Sequence, residues 1–155
     1  HKEYAHVDVS TVYQEVIQLV AMDIKACTAA IYLGQWYLDK QDAGQEEKAF
    51  HFIEGFLENY PGPPENTVPV HLFIEVFYID RRGDYASSVG HLKDAYDLGI
   101  AKDTVRREVL FRMGRIYHTK LKQAKNARMV YQQFLELYSN AAQTPVVRRY
   151  LKELG

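Results

Sequence analysis

Apolar residues recur at helical spacing along almost the whole chain, in segments that turn residues separate from one another. In residues 46–60 the apolar side chains fall on one helix face, at the i, i+3 and i+4 positions typical of an amphipathic helix. Three prolines in the next four residues must end this helix, because proline lacks the amide hydrogen that a continuing helix needs. Residues 70–79 have the β-branched and aromatic content of a strand, but the chain offers no second strand to pair with them. The spacing therefore predicts an all-α fold.

Eight helices are predicted, joined mostly by short links that favour antiparallel neighbours. Asp8 or Ser10 is the expected N-cap of the first helix, and Gly99 is expected to end the fifth in a left-handed conformation. The predicted helices cover residues 10–26, 27–40, 46–60, 69–79, 85–98, 103–118, 127–138 and 144–154. Residues 41–45 and 120–126 are expected to form loops.

The predicted helices form pairs that resemble one another in sequence. The third pair carries Leu110, Met113, Gly114, Tyr117, Ala127 and Tyr131, and the first pair carries Ala30, Leu33, Gly34, Tyr37, Ala49 and Ile53 in the same order. The middle pair is a weaker match, since Glu75 and Val76 take the positions of the Leu-Gly pair. Gly34 and Gly114 have no side chain, so they are expected to let the second helix of their pair approach closely. Their separation of two periods gives a repeat of about 40 residues.

This pattern resembles the tetratricopeptide-repeat superfamily over residues 27–155. The Phe-Leu-Glu-x-Tyr ending of two second helices, at residues 56–60 and 134–138, is similar to a divergent bacterial subgroup found in envelope-assembly proteins. The resemblance implies one domain, a right-handed superhelical array of antiparallel helix pairs known as an α-solenoid. Its parts would be an N-terminal helix (9–26), three repeats (27–61, 69–100 and 103–139) and a capping helix (144–154). Half-a-TPR and Sel1-like arrays are the alternative helical-repeat families.

Residues 9–26 allow two interpretations. Extending the repeat backwards from Gly34 places Val12, Val16 and Leu19 in the second helix of a preceding pair, with residues 23–26 as the turn. Alternatively, the segment continues without a break into the next helix. The first interpretation is favoured, because an array needs a cap at its start. The chain begins at His1 without an initiator Met, so it is interpreted as a fragment or a processed form.

The net charge of −1 conceals an uneven distribution. Residues 1–101 contain 7 basic and 16 acidic residues, a net charge of −9, whereas residues 102–128 contain 9 basic and 2 acidic residues, a net charge of +7. Within that block, Arg106, Arg107 and Arg112 are predicted to form a basic patch that attracts an anionic partner, with a solvated helical face as the simpler alternative. A nucleic-acid partner is not expected, because the pI of 6.7 lies below the value of about 9 typical of nucleic-acid-binding domains.

Neither a catalytic site nor a metal site is predicted. No two of the six histidines have the i, i+4 spacing of a helical zinc site, and the sequence contains no HExxH motif. The single cysteine, Cys27, is expected to be a packed residue rather than a nucleophile. Because the glycine motifs of nucleotide-binding proteins and the GxSxG motif are also absent from the sequence, we expect no enzymatic activity and no cofactor.

The resemblance implies a non-enzymatic scaffold that binds a protein or peptide partner in a concave groove lined by the first helix of each pair. The repeat register assigns nine residues to this groove: Ile31, Gln35, Leu38, Phe73, Phe77, Asp80, Phe111, Arg115 and His118. The three phenylalanines are expected to converge there, with burial in the core as the alternative.

Other interpretations of the function stay open. The chain is alternatively a regulatory or oligomerisation domain of a larger enzyme or membrane protein, with formation of a homo-oligomer, or a component of bacterial envelope assembly. Attachment to a membrane would come only from a missing segment of the parent chain. The compartment is undetermined, with the cytoplasm favoured slightly over the periplasm.

Overall fold

The computed structural model describes residues 8–155 as an all-α protein, with eight α-helices and no strand in that range. The helices are α1 (Val9–Leu19), α2 (Ile24–Leu38), α3 (Ala43–Asn59), α4 (Val68–Arg82), α5 (Tyr85–Leu98), α6 (Asp103–Arg115), α7 (Ala124–Leu137) and α8 (Thr144–Glu153). A 3₁₀ turn at Pro64–Thr67 precedes α4, and a π-helical turn at Ile116–Lys120 follows α6 directly. The eight helices and the absence of strands in residues 8–155 confirm the predicted all-α class. Over the same residues, no helix combines the length and the apolar character needed to cross a membrane.

Several helix boundaries differ from the predicted ones. The first helix ends at Leu19 and residues 20–23 form a turn before α2, so the helix does not continue unbroken and the turn comes three residues earlier than expected. That α1 is the second helix of a preceding pair stays a prediction. The predicted loops at 41–45 and 120–126 are wrong in part. α3 already begins at Ala43, and the second loop is shortened by the π turn at one end and by α7 at the other. α4 continues to Arg82, past its predicted end at residue 79.

Aspartate side chains cap the N-termini of four helices. Asp8, Asp23, Asp42 and Asp84 accept hydrogen bonds from backbone N–H groups in the first turns of α1, α2, α3 and α5. These bonds satisfy amides that have no partner inside the helix. Hydrogen bonds from neighbouring hydroxyl groups are the main reason why the pKa values of Asp8 and Asp84 are lowered. Of the two caps expected for the first helix, the structure uses Asp8.

The chain divides into two compact units, the first ending at Ile74 and the second covering Glu75–Gly155. In the first unit α2 contacts both α1 and α3. Its core is formed by the buried apolar residues of α2 and α3, which include Ala26, Cys27, Ala30, Leu33, Tyr37, Leu38, Ala49, Phe50 and Ile53. A Cβ atom at Gly34 would come within 2.9 Å of Cδ1 of Ile53, so the expected close approach of the two helices is confirmed at this position.

In the second unit α6 contacts both α5 and α7, and α8 packs on α7. A Cβ atom at Gly114 would come within 2.6 Å of Cδ1 of Tyr131, closer than carbon atoms normally approach. The expected tight crossing is therefore confirmed here as well. At the far end, Nη2 of Arg128 donates hydrogen bonds to the carbonyl oxygens of Leu154 and Gly155 at 2.7 and 2.8 Å. These bonds satisfy carbonyls at the end of α8 and attach it to α7.

Candidate functional site

A buried ion pair connects three helices of the second unit. Nη1 and Nη2 of Arg112 on α6 donate hydrogen bonds to the two carboxylate oxygens of Glu75 on α4, at 2.6 and 2.9 Å. The hydroxyl of Ser88 on α5 donates a third bond at 3.1 Å, and Glu75 is only 1% exposed. Burial raises the pKa of Glu75, while the charge and the hydrogen bonds of Arg112 act in the opposite direction. The charge of Arg112 is thus engaged inside the protein.

The other two arginines of the predicted basic patch differ in their surroundings. Arg106 forms an ion pair with Asp103 at 2.8 Å, and its Nε donates a hydrogen bond to the hydroxyl of Tyr138 at 3.3 Å. The Nε atom of Arg107 is buried and has no hydrogen-bond partner within residues 8–155. Because Arg106 and Arg112 already have carboxylate partners, much of the patch's charge is compensated internally. Attraction of an anionic partner by these three residues stays a prediction.

Two cations that have no carboxylate partner among the described residues lie at a pocket of about 130 Å³ in the second unit. It lies where the end of α4, the start of α5 and the π turn meet. The pocket is lined by Ile79, Tyr85, Arg112, Arg115, Ile116, Thr119 and Lys120. The guanidinium carbon of Arg115 lies 5.8 Å from the centroid of the Phe111 ring, and Nζ of Lys120 lies 5.0 Å from that of Tyr85. Neither cation forms an ion pair with a carboxylate in the part of the chain that the structure describes.

The π turn supplies three of the pocket residues. The amide of Leu121 donates to the carbonyl of Ile116 at 3.0 Å, a bond one residue longer than that of an α-helix. The backbone then reverses at Lys122, whose φ of +55° is unusual for a residue other than glycine. No glycine or proline in residues 115–123 marks this turn, so sequence reasoning extended an ordinary helix to residue 118 and did not identify Lys120 as a site residue. Turns of this type occur frequently at functional sites.

The predicted groove residues of the second unit differ in exposure. Asp80 and Arg115 are exposed, whereas Phe77, Phe111 and His118 are half-buried. The ring of His118 packs against those of Tyr131 and Tyr150, with centroid distances of 6.0 and 5.2 Å. His118 is therefore part of the cluster that joins the π turn, α7 and α8.

In the first unit, one predicted groove residue is corrected. Leu38 is only 2% exposed and belongs to the core, because its position on α2 faces inward and not toward solvent. Ile31, Gln35 and Phe73 are half-buried. The side chain of Gln35 donates a hydrogen bond to the carboxylate of Asp39 at 2.6 Å. The predicted convergence of the three phenylalanines stays a prediction.

Another pocket of the second unit, about 220 Å³ in volume, lies among α5, α6 and α7. Two of its polar pairs are already formed: Lys93 is ion-paired with Asp97, and Nε2 of Gln133 donates a hydrogen bond to the hydroxyl of Tyr96. Met113, Met129 and Val130 supply apolar lining. This pocket offers an apolar cleft, whereas the pocket at Arg115 and Lys120 offers positive charge.

Comparison with known protein families identifies a tetratricopeptide repeat at residues 108–141. The matched segment starts within α6, includes the π turn and α7, and ends before α8. The match covers about a fifth of the chain, and the all-helical structure agrees with a helical-repeat fold. Repeats of this type generally mediate protein–protein interactions. A search of curated proteins returned no match.

Proposed function

We propose that this tetratricopeptide-repeat-like chain is a non-enzymatic scaffold that binds a protein or peptide partner, with the pocket at Arg115 and Lys120 as one contact site. The observation that carries the proposal is the position of these two cations, at a concave surface and without a carboxylate partner in residues 8–155. Both belong to the segment that matches the repeat family. A partner that brings its own carboxylate would complete this arrangement.

The lining of the pocket favours an acidic residue beside an apolar one. The guanidinium group of Arg115 can donate two parallel hydrogen bonds to a carboxylate, a geometry that gives both affinity and orientation. Ile79, Ile116 and the ring of Tyr85 provide apolar surface beside the cations. The volume of about 130 Å³ suits a single side chain rather than a folded surface. We therefore expect the partner to present a peptide segment in which an acidic side chain neighbours an aliphatic or aromatic one.

Half-buried aromatic residues of the second unit support a wider contact surface. Phe111 lies beneath Arg115 at the pocket, and Phe77 is half-buried on α4. Large aromatic and arginine side chains often contribute most of the binding free energy at an interface. Ile31, Gln35 and Phe73 are separate candidates for partner contacts on the first unit.

Selection from a random peptide library displayed on phage tests the proposal with the whole chain as bait. Enriched peptides are expected to share an acidic residue next to an apolar one. Binding of a selected peptide, measured by calorimetry, should weaken by about tenfold or more when Arg115 and Lys120 are both replaced by glutamate. It should also weaken as salt rises, because added ions screen exposed charges over about 8 Å at physiological ionic strength.

Arg149→Glu is the matched control, since Arg149 is an exposed cation on α8 that lies outside the pocket. This variant should bind the selected peptide as the parent chain does. Enrichment of peptides without acidic residues would contradict the proposed site. The proposed site would also be contradicted if the affinity for the selected peptide changed equally in the control and in the Arg115→Glu/Lys120→Glu variant.

A further inference from the structure

We propose that the pocket at Arg115 and Lys120 takes a phosphorylated serine or threonine side chain of the partner in preference to a carboxylate. This inference rests on the proposed function, since it specifies the anionic group of the peptide that the pocket binds. Three of the residues that line the pocket are cationic and none of them is acidic. Arg112 is paired with Glu75, so two positive charges remain that have no carboxylate partner among the described residues.

The carboxylates nearest in sequence to the lining residues of α4 and α5 leave these two charges uncompensated. Asp84, the N-cap of α5, accepts hydrogen bonds from the N–H group and the hydroxyl of Ser87 at 3.0 and 2.6 Å. Asp80 on α4 is exposed, does not line the pocket and forms no ion pair within residues 8–155. An anionic ligand is therefore the group that would balance the charge of the pocket.

A phosphate group matches two cations better than a carboxylate does. A carboxylate carries one negative charge and two oxygens, and the forked guanidinium group of Arg115 can bind both oxygens by itself. Lys120 would then keep its charge without a partner. A phosphorylated side chain carries about 1.5–2 negative charges at neutral pH and three acceptor oxygens, so it can pair with Arg115 and Lys120 together.

The lining also contains hydrogen-bond donors for a third phosphate oxygen. Glu75 uses two of the five N–H groups that a guanidinium carries, and the side chain of Arg112 is 33% exposed. The hydroxyl of Tyr85 forms no hydrogen bond with any of the described residues. Arg112 and Tyr85 can thus donate to a phosphate, whereas a carboxylate bound by Arg115 would leave these donors unused.

The volume and the apolar lining of the pocket favour a phosphate carried by a peptide. The short side chains of phosphoserine and phosphothreonine suit a volume of about 130 Å³. They would also bring the peptide close to Ile79 and Ile116, which can contact a neighbouring apolar residue. Inorganic phosphate cannot make these apolar contacts, so we expect it to bind more weakly than a phosphopeptide.

Three synthetic peptide libraries test the inference with the 155-residue chain. The libraries have the same randomised flanking positions and differ only at the central residue, which is phosphoserine, aspartate or asparagine. Fluorescence polarisation is expected to show binding about tenfold or more tighter for phosphoserine than for aspartate, and the weakest binding for asparagine. If aspartate binds as tightly as phosphoserine and asparagine binds more weakly, this inference is wrong and the proposed function stands. If the three libraries bind equally, or none binds, both are wrong.

A single substitution connects the preference to the second cation. Lys120→Gln should weaken binding of the phosphoserine library by about tenfold and that of the aspartate library by much less, because a carboxylate can be bound by Arg115 alone. Lys125→Gln is the matched control, since Lys125 is an exposed cation of the same basic block that does not line the pocket. This control should bind both libraries as the parent does. Loss of the same factor for both libraries in Lys120→Gln would refute pairing of one phosphate with two cations.

Inorganic phosphate and lipid vesicles distinguish the source of the phosphate group. Inorganic phosphate should displace the phosphoserine library only at about millimolar concentrations, because it lacks the peptide contacts. Vesicles that contain a phosphorylated phosphatidylinositol should bind the chain more weakly than the phosphoserine library does. Displacement by micromolar inorganic phosphate, or tighter binding to the vesicles, would overturn the assignment of the pocket to a phosphopeptide.

Discussion

Replacing Arg112 with methionine is expected to destabilise the second unit by about 3 kcal/mol near neutral pH. The substitution removes both short hydrogen bonds to Glu75 and leaves a carboxylate that is 1% exposed with the hydrogen bond from Ser88. Breaking a buried ion pair in this way generally costs about 3–5 kcal/mol. We place Arg112 at the lower end, because its own side chain is 33% exposed. Urea unfolding followed by circular dichroism measures the difference.

The pH dependence of the loss gives a sharper test. Burial raises the folded-state pKa of Glu75 above its ordinary value of 4.5. The contribution of Glu75 to the free energy of unfolding is therefore fully present below pH 4.5 and declines as the pH rises through the folded-state pKa. Without Arg112 the folded-state pKa should rise further, because its largest opposing influence is gone. The difference in the free energy of unfolding between the parent and the Arg112→Met variant should therefore be smallest near pH 4 and grow steadily toward pH 8.

A second substitution and an exposed ion pair provide the controls. Glu75→Leu combined with Arg112→Met should recover most of the lost stability, because an apolar pair can replace a buried ion pair at little cost. Lys93→Ala removes an exposed ion pair with Asp97 and should cost only about 0.5 kcal/mol. The reasoning is refuted if Arg112→Met costs no more than Lys93→Ala. It is also refuted if the loss does not grow with pH.

Two further substitutions test the packing and the caps of the second unit. Gly114→Ala should lower stability by about 1–3 kcal/mol, because the new Cβ would meet the fully buried ring of Tyr131. Gly90 lies on α5 with open space around it, so Gly90→Ala should instead raise the free energy of unfolding by about 1 kcal/mol. Equal changes of the unfolding temperature in these two variants would contradict the packing argument. Asp84→Ala should cost about 1 kcal/mol of unfolding free energy at neutral pH through loss of the α5 cap. The folded-state pKa of Asp84 is lowered, so its contribution to the free energy of unfolding is present above pH 3.8 and should disappear as the pH falls through the folded-state pKa. If the stability difference between Asp84→Ala and the parent did not change in acid, the cap would not be its cause.

The repeat at residues 108–141 and the close approaches at Gly34 and Gly114 were predictable because they depend on short-range spacing. Apolar periodicity identifies helix faces locally, and a glycine at the same place in two similar segments indicates the same close approach. Leu38 shows the limit of this reasoning. Its position in the repeat register suggested a groove contact, but the register does not reveal how far a helix is rotated toward its neighbours, and the structure buries this side chain.

The site residues were harder to foresee because they depend on contacts distant in the chain. Glu75 stood out in the sequence only as a departure from the repeat pattern, and its partner Arg112 was one of nine basic residues in a block. Nothing local distinguishes a paired arginine in that block from an unpaired one. Lys120 was missed for a different reason, since the π turn that brings it to the pocket has no glycine or proline to mark it.

The π turn also affects how related sequences should be aligned. A π turn accommodates one residue more than an α turn, so a relative that lacks a single residue between Ile116 and Lys120 could retain an unbroken helix there. Such a deletion would change which side chain of this segment comes next to the pocket, because the π turn is wider than an α turn. The relative would keep the overall repeat while presenting a different side chain in place of Lys120. A one-residue gap at this point of an alignment would therefore indicate a change of binding preference and not an error in the alignment.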